Sequence, residues 1–214
     1  MASLAEPSGA RVVGARRSSG ATSGASTREE DDGRRRKRER NVEMVLEAVL
    51  ELLAEGVEPR VTDIARRSGM TSRSVYRYFG DADGAIASAV EARRQRAIAV
   101  FRSEPKIGRD APLEERLALL VLRRLRLDRI VEPIGSRLEP GALVPALDAE
   151  VREAFDVELS RGDEALARTL CGVFRLRSVR AMRAAFDGDD VATTRAVCRV
   201  ARAVLADDAR RATA

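Results

Sequence analysis

Histidine and tryptophan are absent from the 214 residues, and only two cysteines occur. Each absence removes a class of chemistry. Without histidine the commonest metal ligand and the commonest general base at neutral pH are gone. Two isolated thiols, Cys171 and Cys198, cannot complete a tetrahedral zinc site. Both sit in apolar stretches of helical texture, where cysteine acts as a small hydrophobe. A disulfide would need an oxidising compartment, to which nothing in the sequence points. No metal and no cofactor is expected. No apolar stretch of signal-peptide proportions opens the chain, and no run approaches the ~18 apolar residues of a membrane span, so the expectation is a cytoplasmic protein without a membrane partner. Aromatic residues make up 3%, which leaves the core to Leu, Val and Ala; Leu and Ala are strong helix formers. No segment alternates with the period of a strand. The expected fold is all-α.

What is abundant is arginine. The formal charge is +5 and the pI about 9.9, a balance suited to a polyanionic partner whose counterions are released on binding. Arg34, Arg35, Arg36, Lys37, Arg38 and Arg40 form a block that repels itself unless an anion is present. Ahead of it, residues 1–33 are rich in Ser, Gly, Ala and Arg and lack periodicity. They read as a disordered basic tail, either an arm for a DNA minor groove or an extension without a role.

The apolar spacing then predicts a series of helices. The first runs from about Arg34 to Glu55, with Met44, Val45, Ala48, Val49, Leu52 and Leu53 on one face and Gly56 as its stop. Pro59 would suit the first turn of the next. Residues 61–70 read as a short helix closing on Gly69-Met70, and Thr71 is a good N-cap for a second short helix ending at Gly80. Asp81 or Asp83 can cap a long helix from about Ala82 to Ser103. Further helices are expected over 112–131, 146–161, 163–186 and from Asp189 to about Asp208, with a loop-rich stretch marked by Pro133, Gly135, Pro140, Gly141 and Pro145.

Two short helices joined by a glycine turn are the geometry of a DNA reader. Ile64, Ala65 and Val75 would lock the two helices, leaving Ser72, Arg73 and Arg77 outward. Arginine offers a bidentate fork to guanine O6 and N7, while the hydroxyls of Tyr76 and Tyr78 can bond phosphate oxygens, which sets register and not sequence. Phe79 reads as core, and Arg66 and Arg67 as a solvated face.

On Ala48, Ile64-Ala65, Ser68-Gly69-Met70 and Val75-Tyr76-Arg77-Tyr78-Phe79, the stretch from Val45 to Ile86 resembles the DNA-binding domain of the TetR family of bacterial repressors, about a quarter of the chain. The resemblance implies hydroxyl residues at Thr71 and Ser74 as part of the reader. The expected DNA contacts are thus Thr71, Ser72, Arg73, Ser74, Tyr76, Arg77 and Tyr78, with Arg35 and Arg38 on the backbone. There are departures: Ala82 stands where the family has a phosphate-binding lysine, and Gly84 and Ala85 replace larger residues, which suggests a looser junction. The Arg34–Arg40 block would compensate for the missing anchor.

The organisation that follows is a tail over 1–33, a helix-turn-helix domain over 34–81 and a helical effector-binding and dimerisation domain over 82–214. The resemblance implies the role of the last of these. Independently, Leu166, Leu170, Val173, Phe174 and Val179 stripe one late helix, and Val191, Val197, Val200 and Leu205 the last. Such a pair from each of two chains would pack as a four-helix bundle and place two reading helices on a near-palindromic operator. Phe101, Leu119, Leu122 and Phe155 are candidates for lining an effector pocket, with core packing the preferred reading of each. Arg123, Arg124 and Arg126 are either an anion site or a solvated face. With no nucleophile–base pair, phosphate loop or metal-ligand spacing, the chain does not read as an enzyme. The expected function is a DNA-binding repressor released by a small molecule; the alternative is a DNA-binding dimer without an effector, either an activator or an architectural protein.

Overall fold

The computed structural model describes residues 23–137, 143–159 and 163–211. The expectations for residues 1–22 of the tail and for Pro140 and Gly141 lie outside them, while the helix expected over 146–161 is shorter, starting at Leu143 and ending at Ala154, with turns over 155–159. Among the described residues every regular element is helical: α1 (Ser23–Ala54), α2 (Val61–Ser68), α3 (Ser72–Phe79), α4 (Ala82–Ser103), α5 (Leu113–Val131), a 3₁₀ segment (Glu132–Arg137), α6 (Leu143–Ala154), α7 (Glu164–Val173), α8 (Leu176–Ala185) and α9 (Asp190–Arg211). The all-α expectation stands.

The chain divides into two units, at Glu43 and Met44. In the first, α1 starts at Ser23, well before the expected Arg34. Residues 23–33, expected to belong to the disordered tail, are therefore helical, and from Asp31 onward opposite charges pair along the helix. Asp31 lies 3.8 Å from Arg34, Asp32 lies 3.6 Å from Arg36, and Arg35 Nε donates to Glu39 at 2.9 Å. These are the i,i+3 and i,i+4 spacings at which opposite charges support a helix, although each exposed pair contributes little alone.

The second unit holds two buried clusters. One joins Val45, Val49, Ile64, Val75 and Ile86 to Leu127, Val131, Ile134, Leu143 and Leu147. The other gathers Leu117, Val121, Phe155, Leu170, Phe174, Val179 and Val197. Pro59 is buried but precedes α2, whose N-cap is Arg60. The stretch read as a loop after Pro133 carries the 3₁₀ segment, and α6 begins at Leu143 with Pro145 in its first turn, where a missing N–H costs nothing. Cys171 and Cys198 are free and buried, and burial pushes both thiols up, as suits small hydrophobes.

The single helix expected over 163–186 is broken at Phe174 and Arg175, giving α7 and α8. The Phe174 ring is driven into the core beside Phe155 at 5.9 Å, and its carbonyl receives Arg124 Nε at 3.0 Å. Of the three arginines read as an anion site or a solvated face, Arg126 lies on an exposed face, whereas Arg123 and Arg124 are drawn inward onto carboxylates of the chain itself. Wholly buried Arg124 also donates to Glu150 Oε2 at 2.6 Å and to the Leu147 carbonyl at 3.1 Å, while Arg123 and Arg126 each reach Glu104 at 3.0 Å. Of the candidate pocket liners, Phe155 is packed core, the reading preferred for it, whereas Leu119 and Leu122 are exposed and fit neither reading. Leu166, Leu170, Phe174, Val179 and Val197 are likewise spent on the chain's own core, leaving Val191 and Val200 of the expected stripes exposed, with Phe186 beside them in sequence.

Candidate nucleic-acid interface

The helix pair α2–α3 is fixed by its punctuation. Gly69 adopts the left-handed conformation (φ 67°, ψ 19°), and the Met70 amide donates to the Ala65 carbonyl at 3.0 Å. Only glycine takes that φ without strain. The Ser68 hydroxyl, buried in the turn, donates to the Ile64 carbonyl at 2.7 Å. Thr71 then caps α3: its Oγ1 accepts from the Ser74 amide at 3.2 Å and lies 3.1 Å from the Ser74 hydroxyl. A Thr side chain in this role satisfies an orphan donor of the first turn.

Helical spacing sorts α3 into two faces. Val75 is wholly buried, and Ser72, Tyr78 and Phe79 flank it half-buried. Arg73, Tyr76 and Arg77, at i, i+3 and i+4, share the outer face, and Tyr76 is 54% exposed, too open for a core ring. Arg77 is not loose. Its guanidinium lies 4.8 Å from the Tyr78 ring centroid and donates to the Tyr78 hydroxyl at 3.1 Å, which holds it in place before any ligand arrives. Arg73 has no ion pair among the described residues. Residues 60–80 hold five arginines against one aspartate, so the surface suits phosphate.

Thr71, Ser72, Arg73, Ser74, Tyr76, Arg77 and Tyr78 are therefore gathered on one capped helix, with Thr71 and Ser74 engaged in the cap. Arg35 and Arg38 lie in the first unit, on α1, both exposed. Sequence reasoning missed the support behind the reader. Arg67, taken for a solvated residue, clamps α2 to α1 with hydrogen bonds to Glu55 at 2.8 and 2.9 Å and to Glu51 at 3.2 Å. Those bonds raise the Arg67 pKa and lower that of Glu55. The signal was the i,i+4 pair Glu51 and Glu55, whose partner sits in the next helix.

The junction with α4 is tight, not loose. Asp81 Oδ1 accepts from the Gly84 amide at 2.7 Å, and a Cβ on Gly84 would stand 2.1 Å from the Phe79 carbonyl oxygen. Ala82 packs against the core. Gly84→Ala should therefore destabilise, against helix propensity. Overpacking costs about 1–3 kcal/mol and propensity returns ~1 kcal/mol, so the expected net loss is about 1 kcal/mol, read from chemical denaturation. A gain in stability would mean that the junction has slack.

Residues 47–80 match the family model of the IclR helix-turn-helix domain. The chain carries a helix-turn-helix. DNA binding and a role in regulating transcription are thereby supported. The match covers the end of α1, α2 and α3 up to Gly80 and is silent on the rest. It corrects the TetR resemblance, since the domain model that matches is the IclR one. The physical reason is that a short helix, a glycine turn and a capped reading helix are shared by many readers. No curated protein and no solved structure matches the chain.

Proposed function

We propose that the chain is a homodimeric, sequence-specific transcriptional repressor that a small-molecule effector releases from its operator. The observation that carries the reading is the outer face of α3, where Arg73, Tyr76 and Arg77 stand together on a helix locked from behind by Val75. Its capped N-terminus can enter a major groove, where arginine reads guanine and tyrosine hydroxyls reach phosphate. Phe186, Val191 and Val200, exposed at and before α9, support pairing with a second copy. A two-fold axis would then make the operator near-palindromic. No described helix is long and apolar enough to cross a membrane; the role proposed is that of a cytoplasmic regulator without enzymatic activity.

Selection from random duplex DNA at fixed salt, with the oligomeric state checked by sedimentation, tests the proposal. An inverted repeat is the expected product; recovery of unrelated sequences alone would defeat it. The same assay examines the basic block. Arg38 has no ion pair among the described residues, whereas Arg35 is shared with Glu39, which raises its pKa. Neutralising both with glutamine should flatten the dependence of log K on log salt by about 0.9 for each phosphate contact removed, with Arg38 giving the larger part. An unchanged slope would remove the block from the interface.

A further inference from the structure

A cavity of about 370 Å³ opens between the end of α5, the 3₁₀ segment, α6 and the start of α8, and DNA reading makes no use of it. Its walls are apolar, formed by Val131, Leu143, Val144, Leu147 and Leu176. Three guanidiniums stand around it, those of Arg175, Arg177 and Arg180. Two carboxylates answer them. Buried Asp128 takes Arg180 Nε at 2.7 Å and Nη2 at 2.6 Å, and Asp148 lies 3.6 Å from Arg175. Arg177 has no ion pair among the described residues, so three cations meet two anions. Arg175, the N-cap of α8, supplies no side-chain cap, and the first-turn amides add positive potential to the same rim. A Cβ on Gly135 would lie 2.2 Å from Arg180 Nη1; the bare backbone there leaves room for the guanidinium.

Apolar walls with a few convergent polar groups, in a space within about 300–1,000 Å³, are how small-molecule sites hold and orient a ligand. We propose that this cavity binds an apolar small molecule ending in a carboxylate, its tail on Val131, Leu143 and Leu147 and its carboxylate on Arg177 and Arg175. This inference rests on the reading of the chain as an effector-released repressor and assigns that effector its chemistry. It also assigns the path to DNA. Val131, Leu143 and Leu147 belong to the same buried cluster as Ile64 and Val75 of the reader, and so does Ile134 of the 3₁₀ segment. Arg137, at the end of that segment, pairs with Glu58 in the loop that leads into α2. A ligand wedged against the segment thus acts on the reader through one packed side chain and one ion pair. It shifts the equilibrium by its differential affinity for the two arrangements.

Octanoate, octanol and octyltrimethylammonium, titrated into the full chain by calorimetry, test the site. Octanoate is expected to bind about tenfold more tightly than octanol, and the cation not to compete. The Arg175→Gln/Arg177→Gln variant should lose about that factor for octanoate and nothing for octanol. Arg180 is left in place because its removal would strand buried Asp128. Equal affinity for octanoate and octanol, or an unaffected variant, overturns the site. Octanoate should weaken operator binding by about fivefold or more, and less in Arg137→Ala, which should bind octanoate as before. Unchanged operator affinity in the parent chain, or an undiminished effect in Arg137→Ala, overturns the proposed path. A chain that binds octanoate in this way but selects no operator keeps the site and defeats the repressor reading instead.

Discussion

Arg124→Met should cost the chain about 3–5 kcal/mol of stability, the range for removing one member of a buried charge pair. Arg124 is wholly inaccessible to solvent, and desolvation pulls its pKa down while Glu150 pushes it back up. What keeps the charge tolerable is saturation. Nη1 reaches Glu150 on α6, Nη2 the Leu147 carbonyl one turn earlier, and Nε the Phe174 carbonyl at the break between α7 and α8. Methionine fills the volume but leaves both carbonyls without that donor, and Glu150 keeps only its bond to Arg123. Lysine retains the charge and should rescue only in part, because an ammonium on a flexible stem does not span three fixed acceptors as a planar fork does. Chemical denaturation followed by far-ultraviolet circular dichroism reads the loss in this tryptophan-free chain. A change below about 1 kcal/mol, the scale of an exposed ion pair, would mean that α6 and the α7–α8 break are held by packing alone.

The same residue shows where sequence reading stops. Local signals were legible. Gly69 and Gly80 close α2 and α3, and Thr71, Asp81, Asp163 and Asp189 each accept a backbone amide at a helix start. These depend on neighbours within a few residues. Arg124 depends on Glu150, 26 residues away, and on Phe174, 50 residues away, while the acid nearest it in sequence, Asp128, pairs with Arg180, so the run of arginines looked like a surface. The break at Phe174 follows Gly172, whose carbonyl accepts the Arg175 amide, and it is accompanied by a buried ring and a distant guanidinium that no local signal announces. The apolar stripes of the late helices were visible as stripes, but periodicity gives a helix an inner face without saying whether its own chain or a second copy covers it. The reading helix was legible because its geometry is local, and which helix-turn-helix domain it matches was not, because that local geometry is common to many readers. Gly84 looked like slack for a similar reason: only the fold brings the Phe79 carbonyl against it.

Arg73→Ala should weaken binding to the selected operator by about 1–3 kcal/mol at each half-site and level the base preference at one position. Arg73 is the second residue of α3, beyond the Thr71 cap, at the end of the helix that penetrates furthest when a reading helix enters the groove by its N-terminus. Ser72 and Ser74 on either side are small. Arg77, one turn further on, is committed to the ring and hydroxyl of Tyr78, which suits a held contact to the phosphate backbone. Fluorescence anisotropy on the operator and its single-base variants, at two salt concentrations, separates the roles. Loss of preference at one base pair with little change in salt slope marks a base contact. Equal weakening on every sequence with a slope lower by about 1 marks a phosphate contact, and would move the reading of sequence from Arg73 to Arg77. Arg73→Lys sharpens the test: a point charge keeps affinity for phosphate but does not reproduce the planar fork to guanine, so lysine should recover little of the binding or the preference, and recovery of binding on every sequence would mark a phosphate contact.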